Sequence, residues 1–146
     1  MTESIPPASA ISEWALKETG QAMLSGDFDA FCACFHLPHT VATFEGERTI
    51  ETREAFADTF MKVHRHYRQL GVTELVRHCI NAEYKDNDTV EATHEARVIN
   101  GRELLQEPFP GFTILRRIDG RWGIVHSAYA IADSPRLNRA IMDPDT

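Results

Sequence analysis

The sequence predicts an α+β fold in which a curved antiparallel sheet packs on one long and two shorter N-terminal helices. Between about Val72 and Ile131, four runs are rich in β-branched and aromatic residues. The segments that separate these runs are Lys85-Asp86-Asn87-Asp88, Asn100-Gly101 and Asp119-Gly120. Asn-Gly and Asp-Gly between alternating runs indicate tight hairpins, because both residues tolerate positive φ. The upstream half has helical spacing instead, so helices are expected to cover one face of a four-stranded meander.

The helices are predicted from capping residues and from one apolar stripe. Ser9 can cap a first helix to about Leu24, and Gly26 and Asp27 then separate it from a short second helix over about 28–35. Thr52 and Gly71 are expected to bound the long helix. Its apolar residues step by four and three, as Phe56, Phe60, Val63, Tyr67 and Leu70. This stripe must pack on another element, and the sheet offers the surface.

Residues 9–133 are therefore predicted to form one domain. Residues 1–8 are expected to be a flexible arm, and residues 134–146 a C-terminal tail with a short helix. A short strand is predicted after Pro38. Pro108 and Pro110 fall within the third run of the meander, where proline cannot donate to a ladder, so we expect a bulge or bend there. A sheet bent in this way and closed by helices leaves a cone with a cavity.

The predicted turns assign side chains to the two faces of the sheet. The Asn100-Gly101 turn would place His94 opposite Glu107, and the Asp119-Gly120 turn would place His126 opposite Thr113. His94 and His126 then point toward the core. The turn at Asp86-Asn87 leaves the first run open, because a two-residue loop and a three-residue loop place opposite sets inward, so His78 is the weaker candidate.

Composition restricts the class of protein. The 146 residues suit one domain, and a net charge of −7 argues against nucleic-acid binding and against a polybasic membrane surface. No apolar run approaches the roughly 20 residues of a membrane helix. The start shows no signal-peptide pattern, and Cys32, Cys34 and Cys79 make an odd number, so reduced thiols and a cytoplasmic location are expected.

The order of these elements resembles the NTF2-like superfamily, which includes SnoaL-like polyketide cyclases and ketosteroid isomerases. The matching segments are Ser25-Gly26-Asp27, the link from Phe35 to Phe44, and Asp119 to Ile124 in the last hairpin. The resemblance implies a cystatin-like cone, a pocket between sheet and helices, and frequent homodimers. It does not imply one chemistry, because this fold hosts many functions. The isomerases' aspartate base and tyrosine would fall near Thr43 and Thr19, which cannot take those roles.

The candidate site therefore consists of inward-facing polar and aromatic groups. His94 and His126 are the catalytic candidates, since an imidazole can act as acid or base near neutral pH. The residues expected to line a ligand pocket are Thr43, Phe60, Tyr67, His78, Glu107, Phe109, Thr113 and Trp122. No metal-ligand spacing is present, and neither a metal nor a cofactor is predicted.

Two functions remain open at this stage. The first is an NTF2-like domain that binds a small apolar molecule, of polyketide or steroid type, with isomerase, cyclase or lyase chemistry on an unknown substrate. The second is a non-catalytic homodimerisation module whose cavity is filled by its own side chains. In either case the outer sheet face is expected to form a homodimer interface, because it is too apolar for water. Its residues are Leu104, Phe112, Ile114, Val125, Tyr129 and Ile131.

Overall fold

The computed structural model describes residues 5–142, and within that range the chain forms four helices and seven strands. The helices are α1 (Ala8–Ser25), α2 (Phe28–Cys32), α3 (Arg53–Leu70) and α4 (Pro135–Met142). The strands are β1 (Phe35–Thr43), β2 (Gly46–Ile50), β3 (Glu74–Asp86), β4 (Thr89–Asn100), β5 (Glu103–Leu104), β6 (Phe109–Ile118) and β7 (Arg121–Tyr129). The predicted α+β class is confirmed.

One curved, unclosed sheet contains all seven strands. Its order is β2-β1-β7-β6-β4-β3, with the short β5 paired to β4. The predicted meander is the segment β3-β4-β6-β7, and every pair within it is antiparallel. The small N-terminal hairpin extends the sheet, because β1 pairs with β7 in parallel.

The helix caps follow the sequence closely. Asp27 accepts a hydrogen bond from the Ala30 amide at 3.1 Å, and Thr52 accepts one from the Ala55 amide at 3.1 Å. Gly71 ends α3 in the left-handed region at φ 70°, where glycine avoids a Cβ clash. α1 begins at Ala8 after Pro7 without a side-chain cap, so the predicted cap at Ser9 is wrong.

All the helices except the short α2 contribute buried residues to the concave face of the sheet. Ile11 and Ala15 of α1 pack with Val90 and Leu115, and Phe60 of α3 belongs to a second cluster. That second cluster also holds Met23, Val63, Tyr67, Ala96, Val98, Phe109, Ile131 and Leu137. Alternate residues of β4 are buried from Val90 to Val98, as expected for a strand with one face on the core.

The β4–β6 pairing differs from the predicted register by an even number of residues. Ile99 pairs with Leu104 across a Gly101-Arg102 turn, and Ala96 pairs with Phe109. The prolines at 108 and 110 accompany the expected irregularity, since β5 and β6 are separate strands. An even shift keeps every side chain on its predicted face, so His94 points inward as predicted, but its partner is Gly111 and not Glu107.

The β6–β7 pairing differs by one residue, which reverses the faces. Leu115 pairs with Ile124 as predicted, but Ile114 pairs with His126 because Val125 is the extra residue of a β-bulge. The expected pair of His126 and Thr113 is therefore wrong. Tyr129 turns inward for the same reason, and Ile131 further along is only 1% exposed. Neither belongs to the outer face predicted for them.

A bulge in β3 resolves the ambiguity that the sequence left there. Cys79 pairs with His94 and Asn81 with Thr93, so Ile80 is unpaired. Residues before the bulge place the odd-numbered side chains inward, and residues after it place the even-numbered ones inward. Arg77 accordingly faces the interior, whereas His78 is exposed.

The ends of the chain are only partly covered by the structure. Residues 1–4 of the predicted arm and residues 143–146 of the predicted tail lie outside the described residues. Of the remainder, Pro6 accepts a hydrogen bond from the Tyr84 hydroxyl at 2.8 Å, and α4 buries Leu137 completely. In the part of the chain that is described, no helix is both long and apolar enough to span a bilayer.

Candidate functional site

A cavity of about 110 Å³ lies between the concave sheet face and helices α1 and α3. Its wall is mainly apolar, with Met23, Phe31, Phe56, Phe60, Val63 and Phe109 among the lining residues. Its polar lining residues are Thr19, His39, Thr59, Tyr67, Arg77, His94 and Tyr129. An apolar chamber with a few convergent polar groups is the usual form of a small-molecule site.

His94 is the most buried polar side chain of this wall. It is 1% exposed, and neither ring nitrogen has a hydrogen-bond partner. Burial, assisted by the positive charge of Arg77, lowers the pKa of His94 from 6.5 to about 4. The imidazole is therefore neutral at pH 7, with one nitrogen able to donate and the other able to accept.

Gly111 makes room for the His94 ring. The two residues are paired across β4 and β6, and a Cβ added to Gly111 would lie 2.5 Å from His94 Nε2. Real Cβ atoms essentially never approach a neighbour so closely. The absence of a side chain at residue 111 thus permits the inward position of the imidazole. This dependence of His94 on Gly111 becomes visible only when the pairing of the two strands is known.

Arg77 is the only cation among the described cavity residues, and it has no acidic partner. Its Nη2 donates to the Leu16 carbonyl and to Thr19 Oγ1, both at 2.6 Å, while its Nε has no partner. None of the ion pairs between described residues includes Arg77. Burial lowers the pKa of Arg77, but a guanidinium remains charged at pH 7. The cavity therefore has a positive wall without a counter-charge.

Two tyrosines accompany this positive charge. Burial raises the pKa of Tyr67 well above its ordinary value, and the Arg77 charge opposes that effect. Tyr129 contacts His94 edge to face, with ring centroids 6.4 Å apart. The Tyr67 phenol is a neutral donor at pH 7, and Arg77 lies within electrostatic reach of both tyrosines.

His39 forms a second neutral imidazole on the cavity wall. Its Nε2 lies 3.1 Å from Ser127 Oγ in a hydrogen bond, and its Nδ1 has no partner. Burial lowers the pKa of His39 to about 3, with His126 acting in the same direction. Its ring packs against Phe35 and Phe56, so the aromatic cluster fixes its position.

The structure brings together half of the residues predicted for the site. Four of them line the cavity, namely Phe60, Tyr67, His94 and Phe109. Thr113 lies in an adjoining void of about 30 Å³ that shares Arg77 and His94 with the cavity. This second void also contains Ser12 Oγ, which has no partner.

The other five predicted residues lie outside the cavity. His126 forms a hydrogen bond with Thr40 at 2.6 Å and contacts Phe112, because the Val125 bulge turns it to the outer face. His78 is exposed before the β3 bulge, and Glu107 is exposed where β5 and β6 separate. Thr43 and Trp122 are half-buried away from the cavity. Thr43 Oγ1 accepts a hydrogen bond from the Glu45 amide, and Trp122 packs on Tyr84.

Arg77, His39 and Tyr129 are the residues that the sequence did not indicate. Arg77 and Tyr129 depend on single-residue bulges, for which neither strand carries a glycine or proline signal at the bulged residue. His39 follows Pro38, and β1, which begins at Phe35, carries it into the core.

The residues present limit the chemistry that the cavity supports. Among the described residues, no carboxylate lines it, so the isomerases' aspartate base has no counterpart there. Across residues 5–142, no cluster of three or more metal-ligating side chains occurs. The available groups are neutral imidazoles, phenols and one guanidinium, which suit hydrogen bonding, proton transfer and stabilisation of negative oxygen.

The comparisons with known proteins agree with this architecture. The model of the SnoaL-like domain matches residues 13–134. A domain of unknown function with a cystatin-like fold from Nostoc punctiforme is 16% identical, with a TM-score of 0.68 over 86% of this chain and 77% of that one. An NTF2-like protein with a cystatin-like fold from Novosphingobium aromaticivorans is 19% identical, with a TM-score of 0.66 over 93% and 89%.

A third similar structure is a candidate dehydratase of the NTF2-like family from Streptomyces avermitilis. It is 12% identical, with a TM-score of 0.63 over 85% of this chain and 95% of that one. At these identities the likeness concerns the fold alone. A search of curated protein sequences found no match.

Proposed function

The chain belongs to the SnoaL-like domain family of the NTF2-like superfamily, and we propose that its cavity binds a small organic molecule on which His94 transfers a proton. The observation that carries this proposal is the fully buried imidazole with two unpartnered nitrogens on the wall of an apolar cavity. A buried polar group without a partner typically costs 1–3 kcal/mol, so a ligand that satisfies it gains affinity there.

The other polar groups define the direction of the chemistry. A substrate oxygen that meets the Tyr67 hydroxyl and the Arg77 guanidinium would be stabilised as negative charge develops on it. His94 would take a proton from the neighbouring carbon and return it to a different carbon of the same molecule. The positive charge of Arg77 disfavours the imidazolium, which promotes that return. The net result is an isomerisation. If the substrate instead loses a leaving group after the proton is removed, the reaction is that of a lyase.

The cavity volume sets the size of the ligand. Pockets for drug-sized ligands hold about 300–1,000 Å³, and an apolar cavity of about 150 Å³ holds benzene. A volume of about 110 Å³ is below both values, so it limits the ligand to at most about one ring and excludes the four fused rings of a steroid. Trp122, predicted to line the pocket, lies outside this cavity.

The first test compares His94 with a histidine outside the cavity. We expect the wild type to convert 3-cyclohexenone to the conjugated 2-cyclohexenone, measured by ultraviolet absorbance. His94→Asn should reduce the rate by about 100-fold or more, the range of general acid–base catalysis. The matched control His126→Asn should retain the rate within about twofold, because that ring is outside the cavity. Equal rates in the two variants would contradict the role given to His94.

Binding is measured separately from turnover. The Cε1 resonance of His94 in histidine-labelled protein is expected to shift when 2-cyclohexenone is added. A shift without turnover would leave the site as a binding site and remove the proposed chemistry. No shift at millimolar 2-cyclohexenone would contradict both the proposed binding and the proposed chemistry.

A homodimer through the outer sheet face is proposed in addition. The apolar group there is Phe112, Ile114 and Val125. Leu104, which is 48% exposed, lies further along the same face, where it pairs with Ile99. No described helix packs on this face, since the helices share their core clusters with the concave one. Its charges are paired locally, as Arg97 with Glu95 and Lys85 with Glu91, so they would not repel a second copy.

The dimer is tested by sedimentation at micromolar concentration. We expect a dimer for the wild type and a folded monomer for Ile114→Lys, because a buried lysine at the centre of an apolar interface lacks a partner. Met61→Lys is the matched control, since Met61 is 42% exposed on α3, which packs on the concave face of the sheet. A monomeric wild type would exclude the interface.

A further inference from the structure

We infer that the ligand of the cavity is a small organic acid whose carboxylate binds Arg77 and whose apolar body, about one ring in size, packs among Phe31, Phe60 and Phe109. The inference rests on the proposed function, since it names the class of molecule that occupies the same site. It adds the charge of the ligand, which neither the fold nor the family determines.

The first argument is the missing counter-charge. A buried cation is normally paired, because removal from water is expensive unless an opposite charge or several acceptors replace the water. Arg77 has two neutral acceptors, Leu16 and Thr19, and no carboxylate among the described residues. Its Nε–H is buried without an acceptor. A ligand carboxylate would supply both the charge and the acceptor.

The second argument is the set of donors around that guanidinium. Arg77, His94 and Tyr129 share the wall of the cavity and of the adjoining void. Each can donate a hydrogen bond, whereas a carboxylate accepts as many as four. His94 is 1% exposed, and neither ring nitrogen has a partner. A ligand acceptor placed at this corner can therefore receive a hydrogen bond from a ring N–H that is already held in position. The absence of lining acids means that nothing described repels an anion.

The third argument separates an organic acid from an inorganic anion. Apart from this polar corner and a few other polar groups, namely Thr19, His39, Thr59 and Tyr67, the cavity is bounded by apolar side chains, most of them phenylalanine and aliphatic residues. An inorganic ion would leave that surface uncovered, whereas an aromatic or branched carbon body would cover it. The volume of about 110 Å³ limits the body to about one ring.

A bound carboxylate would also change His94. Among the described residues, the charged and titratable groups that face this imidazole are Arg77, Tyr129 and Cys79, which is paired with His94 across β3 and β4. Arg77 holds the pKa of His94 down. A carboxylate on Arg77 neutralises that effect and accepts from the ring, so the pKa rises toward 6.5. The ligand would thereby make its own base stronger.

The experiment is calorimetric titration of the full chain with benzoate and with its uncharged analogue benzamide. We expect benzoate to bind at least tenfold more tightly than benzamide. Arg77→Met should weaken benzoate by about 10- to 100-fold, the range of charge-assisted hydrogen bonds, and leave benzamide within about threefold. Arg97→Met is the matched control on the adjacent strand, because that arginine is exposed and paired with Glu95. It should change neither affinity.

Arg77→Lys keeps the charge and covers the case in which the methionine variant does not fold. It should retain part of the preference for benzoate. The His94 resonance of the wild type should titrate at higher pH with benzoate than with benzamide. If Arg77 had only a structural role, the two compounds would give the same titration.

The outcomes separate this inference from the function beneath it. Equal affinities for benzoate and benzamide, or a preference for benzoate that survives Arg77→Met, would overturn the inference that the ligand is an organic acid. The proposal that the cavity binds a small molecule would still stand. Failure of both compounds to bind up to millimolar concentration would overturn the binding site as well.

Discussion

Gly111→Ala is expected to lower the free energy of unfolding by about 3 kcal/mol, the upper part of the range for overpacked cores. The new methyl group would collide with the His94 ring, whose Nε2 would lie 2.5 Å away. Neither partner can yield easily, because residue 111 is held in the β4–β6 ladder and His94 is almost completely buried. Urea unfolding measures the change.

A double-mutant cycle identifies the collision as the cause. His94→Ala removes the ring, so Gly111→Ala in that background should cost about 1 kcal/mol or less, a coupling that only contacting residues show. If Gly111→Ala costs the same in both backgrounds, the loss comes from the strand backbone and not from the imidazole.

Stability is expected to fall as pH falls from about 6.5 to about 4, through His94 and His39. Their pKa values are lowered in the folded chain from 6.5 to about 4 and about 3, so the unfolded chain binds protons first. Each imidazole should contribute full stability above pH 6.5 and lose roughly 1.4 kcal/mol per pH unit below it. The loss ends near pH 4 for His94 and near pH 3 for His39.

The measurement is urea unfolding at about pH 7.5 and about pH 5, a range in which His66 also contributes because burial lowers its pKa. Carboxylates titrate in every variant, so the informative quantity is the difference between wild type and His94→Gln. That variant should lose less stability between the two pH values than the wild type does. Equal pH dependence in His94→Gln and wild type would show that His94 is not protected from protonation.

Much of the fold was readable from local chemistry. The caps Asp27 and Thr52, the terminator Gly71 and the stripe along α3 each act within one or two turns of chain, where the sequence pattern is direct. Leu70 alone departs from the stripe, because it lies at the last turn and is 38% exposed. The hairpin at Asp119-Gly120 was also correct, since Asp119 itself has φ 51°.

The candidate site was predictable only where the register error was even. His94 faces the cavity as predicted although its partner changed, because a shift of an even number of residues preserves the faces. His126 was lost to a shift of one residue, whereas Arg77 belongs to one of the two sets of the first run that the sequence left open. An unpaired Ile80 or Val125 depends on how whole strands twist together, which no short window of sequence contains.

These two bulges also bear on the changes of length that the fold accepts. Without Val125, Ile124 and His126 would be consecutive and would keep their present partners, Leu115 and Ile114, so the side chains beyond them would keep their faces. Without Ile80, Cys79 and Asn81 would keep His94 and Thr93 in the same way. The loss of one codon at either bulge thus regularises a strand and preserves the groups of the chamber, whereas the loss of a residue from a regular part of a strand moves the side chains beyond it to the other face.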